Sequence, residues 1–292
     1  MKKLFLNLVA FLIILTTLSC GDRNETDLVI FFNLFETGSN YICSINEDGK
    51  NFKKIAGPFQ SVTTPVCSSD GSRIVFSKTV TVGPDTMAQI WTMNTDGSDM
   101  KQKTSPSAGL YHYFPTWSAD SRYIYYVQYD DGTGFNYSAL YKLDVSTGQV
   151  TADSSHSYYN ANAIACYDDY IAYNDYGFDY TCILNSSTYE YVFQTDISGL
   201  YYPTFFYDGR LLVSQNNLIH IFEKDFLSYS SIDFSVQGLT PVFPAVSPFG
   251  NKIVFIDSGS GSLWIYDITA GGNAVLLKSG NCNSPNYIGK PR

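Results

Sequence analysis

The stretch Pro115–Tyr126, PTWSADSRYIYY, decides the fold. It reads as the end of one strand, a tight turn and the start of a second strand. Ala119-Asp120-Ser121 supplies the turn, because short polar side chains bond back to a turn backbone. Tyr123–Tyr126 opens the next strand, since aromatic and β-branched residues suit a pleated surface. The same phrase returns along the chain: a proline, an aromatic or apolar residue, a small residue, a turn of Asp-Gly character, then an apolar strand. TPVCSSDGSRIVF places it at Pro65, NANAIACYDDYIAY gives a degenerate copy at Ala163, and YPTFFYDGRLLV places it at Pro203. FPAVSPFGNKIVF places it at Pro244, and SPNYI at Pro285. The intervals of 50, 48, 40, 41 and 41 residues mark a stacked supersecondary unit.

Each unit continues in the same way. After the second strand and a loop of variable length comes a third strand: Tyr41–Ile45, Gln89–Met93, Ala139–Leu143, Tyr180–Leu184, Leu218–Glu223 or Leu263–Asp267. Several of these end in a hairpin turn, at Asn46–Gly49, Asn94–Gly97 and Ser146–Gly148, where Gly supplies the positive φ. A short fourth strand closes the unit. Four strands in roughly 40–50 residues, with no helical periodicity, predict one blade of a β-propeller. The 24 Tyr and 20 Phe, with few charges, agree with an all-β chain.

IWTMNTDGSDMKQKT joined to FPTWSADSRYIYYV resembles the repeats of TolB-type β-propellers, and the likeness extends over nearly all of the chain after residue 27. The resemblance implies the fold and says little about function, because this architecture hosts unrelated activities. The chain enters at Asp27–Leu34 with a strand of the second kind and finishes at Pro285–Ile288 with an anchor strand. The expected fold is therefore an all-β, six-bladed β-propeller over residues 27–292, with four antiparallel strands per blade. Its C-terminal strand completes blade one, and closure removes the open sheet edges. TolB carries another domain before its propeller, so contacts that depend on that domain are not carried over.

Residues 1–19 read as an export signal. Lys2 and Lys3 precede an apolar run, Leu4–Leu15, too short to span ~30 Å of hydrocarbon as a helix. Thr17-Leu18-Ser19-Cys20 resembles the lipobox of bacterial lipoproteins, with Thr17 standing where Leu is usual. The resemblance implies that Cys20 receives a diacylglycerol and becomes the first residue of the mature chain; ordinary secretory cleavage near Ser19 is the alternative. Several acyl chains, palmitate among them, would hold the protein stably on a membrane. Residues 20–26 form a short tether that keeps the propeller close to that surface. Gly21 follows the cysteine, and the resemblance then implies the outer rather than the inner membrane of a bacterial cell envelope.

Loss of Lys2 and Lys3 takes the formal net charge from −9 to −11. An acidic surface without a basic cluster excludes nucleic acid as a partner. The cysteines after Cys20 (Cys43, Cys67, Cys166, Cys182 and Cys282) lack metal-ligand spacing, and there are three histidines in all, so no metal and no cofactor are expected. Four of the five replace strand residues of the repeat, as buried small hydrophobes do. No disulfide is assigned.

The links from second to third strand, and between blades, share one face and vary in length: Lys78–Ala88, Ser105–His112, Tyr129–Tyr137, Asp153–Asn162 and Asp175–Phe178. Long loops on a rigid scaffold are where recognition resides. The candidate binding face is Tyr111, His112, Tyr113, Tyr129, Asp130, Asp131, Phe135, Tyr137, His156, Tyr158, Tyr159, Tyr176 and Phe178. Aromatics beside carboxylates and amides can hold a peptide or stack on sugar rings. The competing reading is that individual rings seal one blade against the next.

Asp70, Asp120, Asp168 and Asp208 recur because the tight turn needs them, and Phe249 stands at the equivalent place in the copy at Pro244. Asn94–Asp99 resembles part of a calcium loop but lacks the later Glu. His112, His156 and His220 have no neighbouring pattern for metal binding or nucleophile activation, and no catalytic motif is present. The expectation is a monomeric, lipid-anchored, non-enzymatic module that binds a protein or peptide of the envelope. A glycan-binding lipoprotein and a propeller lyase or hydrolase are the alternatives.

Overall fold

The computed structural model of the protein describes residues 28–107, 109–130, 137–153, 158–159, 161–175 and 179–288, with backbone alone at 137, 138, 158, 159 and 162. Cys20, with the expected signal and tether, lies outside the described residues, as do Asp131, Phe135, His156, Tyr176 and Phe178.

Blade one holds β1 (Val29–Glu36), β2 (Ser39–Asn46) and β3 (Lys53–Phe59). Blade two runs through β4 (Val62–Cys67), β5 (Arg73–Val82), β6 (Asp85–Asn94) and β7 (Lys101–Gln102). Blade three contains β8 (Leu110–Trp117), β9 (Tyr123–Asp130), β10 (Tyr137–Asp144) and β11 (Val150–Ala152), with β12 (Tyr158–Tyr159) added beside β10. Blade four contains β13 (Ala161–Tyr167), β14 (Tyr170–Asp175), β15 (Tyr180–Asn185) and β16 (Tyr191–Gln194). Blade five contains β17 (Tyr201–Phe205), β18 (Leu211–Gln215), β19 (Leu218–Phe222) and β20 (Tyr229–Asp233). Blade six contains β21 (Pro241–Val246), β22 (Lys252–Asp257), β23 (Ser262–Asp267) and β24 (Val275–Lys278).

The last strand, β25 (Cys282–Tyr287), joins blade one. It pairs antiparallel with β1, setting Ile30 against Tyr287, Asn33 against Asn283 and Leu34 against Cys282. Inner strands touch in the order β4, β8, β13, β17, β21, β25 and back to β4, so the six sheets form a closed ring.

The repeated proline has a structural reason. In five of the blades the register shifts across the anchor, between Thr63 and Val66, Tyr113 and Thr116, Ala161 and Ile164, Tyr201 and Thr204, and Val242 and Ala245. In blade one it shifts between Phe31 and Asn33 of β1, opposite Pro285. A bulge on an edge strand is where a residue without an N–H is tolerated. The residue before each proline adopts positive φ: Thr64 (48°), Phe114 (52°), Tyr202 (55°), Phe243 (50°) and Ser284 (46°).

The core lies between neighbouring blades. Phe31, Phe32 and Ile42 of blade one pack with Ile74 and Phe76 of blade two and Val254 and Leu263 of blade six. Burying such side chains contributes about 1.5–3 kcal/mol each. Hydrogen bonds reinforce the ring: Trp117 Nε1 donates to Val66 O at 3.1 Å, and Cys67 N donates to Asn286 Oδ1 at 2.9 Å. Cys43, Cys67, Cys182 and Cys282 are buried on strands and form no disulfide among the described residues, and burial pushes Cys43 up to about 12.

One expected loop is largely strand. Lys78–Ala88 is a continuation of the β5–β6 ribbon, in register down to Val82 opposite Asp85. Thr79, Val80, Thr81 and Val82 are all β-branched, which extends the hairpin beyond the blade.

Candidate binding face and axial channel

The tight turns are built by their own side chains. Ser118 Oγ donates to Asp120 Oδ1 at 2.6 Å, and Asp120 Oδ1 accepts from Arg122 N at 3.0 Å. Ser68, Asp70 and Ser72 repeat the arrangement in blade two. In Asn94–Asp99, Asp96 accepts from Ser98 N at 2.9 Å, while Asp99 pairs with Arg73 and Lys101. These carboxylates are engaged within their turns or with neighbouring cations.

On the opposite face, β8 alternates as a half-buried strand should. Tyr111 and Tyr113 lie on one side and are partly exposed, whereas His112 turns inward and is buried. The two tyrosine rings stack 6.2 Å apart at 3°, and Tyr113 meets Tyr129 edge-on at 5.9 Å. Burial raises the Tyr113 phenol, with Tyr111 adding to the effect. Tyr129 donates its hydroxyl to Ala161 O, which ties blade three to blade four. His112 sits between blades two and three: Nδ1 is 3.1 Å from Gln89 Oε1, and Nε2 is 2.9 Å from Gln128 Oε1. The ring is buried and bonded to both blades, so it holds them together instead of meeting solvent, and that burial lowers its pKa.

The structure thus gathers Tyr111, Tyr113 and Tyr129 into one cluster, with Asp130 half-buried at the end of β9. Tyr137 and Tyr159 are cross-strand partners, and Tyr158 lies opposite Ser138, so the long link after β11 folds back onto blade three. Asp131, Phe135, His156, Tyr176 and Phe178 lie outside the described residues.

A feature unread in the sequence lies on the axis. All six inner strands line a cavity of about 110 Å³, toward the end nearer the long links. Into it come the pre-proline residues Thr64, Phe114, Tyr202, Phe243 and Ser284. The rings of Tyr202 and Phe243 lie 4.0 Å apart, and Phe114 touches Tyr113 at 6.0 Å. An aromatic run therefore passes from the outer edge of β8 to the channel. A signal was present: an aromatic before the anchor proline in blades three, five and six.

Compared with known structures, the chain is similar to TolB from Acinetobacter baumannii, with a TM-score of 0.73 at 16% identity over 91% of this chain and 68% of that one. The chain shares its fold with TolB. At this identity the likeness establishes the TolB-like six-bladed propeller and nothing finer. Hydrazine synthase from Kuenenia stuttgartiensis is similar over 91% of this chain and 48% of its own length (TM-score 0.65, 14% identity). A protein of unknown function from Bacteroides caccae is similar over 90% and 99% (TM-score 0.60, 13% identity). No family model matches the sequence, and no curated protein matches it. In this TolB-like propeller the aromatic run occupies the face that carries the long links.

Proposed function

We propose that the chain is a non-enzymatic binding module of a bacterial cell envelope, anchored through lipidated Cys20, whose long-link face holds a protein or peptide. The observation that carries this reading is the aromatic run from Tyr111 and Tyr113 to Phe114, which reaches the axial cavity that the Tyr202–Phe243 pair also lines. Rigid, partly exposed aromatics give contact area at low entropy cost, which suits protein recognition. Among the described residues, no carboxylate, imidazole or amine lines the axial cavity or its continuation toward the tight turns. Of the two thiols in that continuation, Cys67 and Cys166, burial raises the Cys166 pKa and holds it as a neutral thiol, which favours binding over acid–base chemistry. The likeness to TolB and the lipobox-like Thr17–Cys20 support an envelope location.

The test is affinity capture from envelopes with the native protein and with a Tyr111→Ala, Tyr113→Ala variant, read by mass spectrometry. One protein retained by the native chain and lost with the variant supports the reading; identical retention by both overturns it. Anchoring is tested separately by acyl labelling, which Cys20→Ser must abolish.

A further inference from the structure

A different hollow lies on the long-link face where blade one meets blades two and six, away from the tyrosines of blade three. Its volume is about 310 Å³, at the lower end of small-molecule sites. Four asparagines line it: Asn33 on β1, Asn40 on β2, Asn281 before β25 and Asn283 within it. Asn33 and Asn283 are direct cross-strand partners, as are Phe35 and Asn40, so each pair shares a face of the sheet. Gly261 brings the β22–β23 hairpin against this wall, where its carbonyl accepts from Cys282 N at 2.8 Å. A Cβ at Gly261 would lie 3.5 Å from Asn281 Cα, and its φ of +64° favours glycine.

The amides are only partly used. Asn33 is 3% exposed and donates Nδ2 to Val62 O at 3.2 Å; its Oδ1 has no donor among the described residues but is sealed from the hollow, so Asn33 forms the floor and the amides open to a ligand are those of Asn40, Asn281 and Asn283. A buried acceptor left in that state costs about 1–3 kcal/mol. Asn40 donates to Gln60 O at 2.9 Å, and no donor among the described residues reaches its Oδ1. Asn283 Oδ1 accepts from Ser284 N at 2.8 Å, and its NH₂ is unused among the described residues. The exposed side chain of Asn281 makes no hydrogen bond to them. Among the described residues no charged side chain lines the hollow, and Phe35 stands 47% exposed at its edge.

Unused donors and acceptors lie side by side, without charge, next to one open aromatic ring. Phosphate would lack a cation here, and an amine would lack a carboxylate. A pyranose matches on each count: its hydroxyls donate and accept at once, and its C–H face packs on an aromatic. We propose that this hollow binds a neutral saccharide unit, a function separate from protein recognition by the aromatic run.

Titration calorimetry on the full chain tests it with glucose, galactose, mannose and N-acetylglucosamine. Each is offered free and as the terminal unit of a short oligosaccharide, with glucuronate and glucosamine as charged controls. At least one neutral sugar binds, and Asn281→Ala and Asn283→Ala each weaken it about tenfold, the loss of a hydrogen bond or two. Asn281 is exposed and makes no hydrogen bond to the described residues, so its variant melts unchanged, whereas Asn283→Ala also removes the acceptor of Ser284 N and is read against its own melting temperature; Tyr111→Ala leaves sugar affinity intact. Preference for the oligosaccharide assigns the site to a glycan end; equal binding assigns it to the free sugar. No heat with any neutral sugar into the millimolar range, affinity untouched by both asparagine variants, or equal binding of the charged controls overturns the proposal.

Discussion

Lys252 Nζ donates to Glu47 Oε2 at 2.6 Å, joining residues 205 apart in sequence. Lys252 opens β22 of blade six, and Glu47 follows β2 of blade one, so the pair bolts blade six to the blade that the closing strand completes. The Glu47 side chain is 4% exposed and that of Lys252 22%. Removing the ammonium strands a buried carboxylate, whereas removing both charges leaves an apolar seam. We expect Lys252→Met to cost about 2–4 kcal/mol, below the fully buried range because the lysine keeps some water. Adding Glu47→Leu should recover most of that loss. Urea denaturation of the two single variants and the double variant measures both.

Closure itself is testable by truncation. A chain ending at Gly280 loses Cys282, Tyr287 and Ile288 from the core and leaves β1 with an open, apolar edge. We expect it to lose cooperative unfolding and to associate through that edge. Size-exclusion chromatography and thermal melts against the full chain decide it; a monomer with unchanged melting would remove the closing strand from the account.

Gly97 and Gly83 separate two costs of a side chain. Both have positive φ, at 89° and 62°, but a Cβ at Gly97 would lie 2.2 Å from Ile55 O, whereas Gly83 has open space around it. Gly83→Ala should cost about 1 kcal/mol from backbone strain alone. Gly97→Ala should cost at least about twice that, because the β6–β7 hairpin must move off β3 of the neighbouring blade. Chemical denaturation of both variants under one condition gives the comparison.

Acidification should weaken the ring through two buried histidines. Burial lowers the pKa of His112 and of His220, which lies beside Ser231 and Gln215. The unfolded chain therefore takes up protons first, near pH 6.5, and stability falls as pH drops from there toward the folded-state values. The slope is at most about 1.4 kcal/mol per pH unit for each histidine. His112→Gln should flatten it between pH 6.5 and 5, measured by urea midpoints; an unchanged slope removes His112 from the effect.

The blade count and the closing strand were legible because a propeller writes its innermost strand and tight turn in nearly the same letters each time. Prolines at 65, 115, 203, 244 and 285 set the period, and the strand without a partner at each end predicted the pairing of β1 with β25. The β5–β6 ribbon was hidden because Gly83 and Pro84 suggested a loop, while the β-branched run before them kept the ladder going. His112, between two tyrosines in the sequence, reads as part of the same surface. The alternation of LYHYFPTW points it inward, where two glutamines from different blades receive it. The asparagine hollow has no local signature. Asn33 and Asn40 lie near one end of the sequence and Asn281 and Asn283 near the other, and only the closed ring brings them together.

The seating of Cys282–Tyr287 beside Val29–Glu36 also sets an order of events in biosynthesis. β1 must wait, with one flank unmatched, while some 250 later residues are made. A circularly permuted gene opened between blades two and three would shorten that wait for β1 and impose it on another sheet. Comparing the refolding speed of the two versions would show how far the seam governs the pace at which the ring assembles.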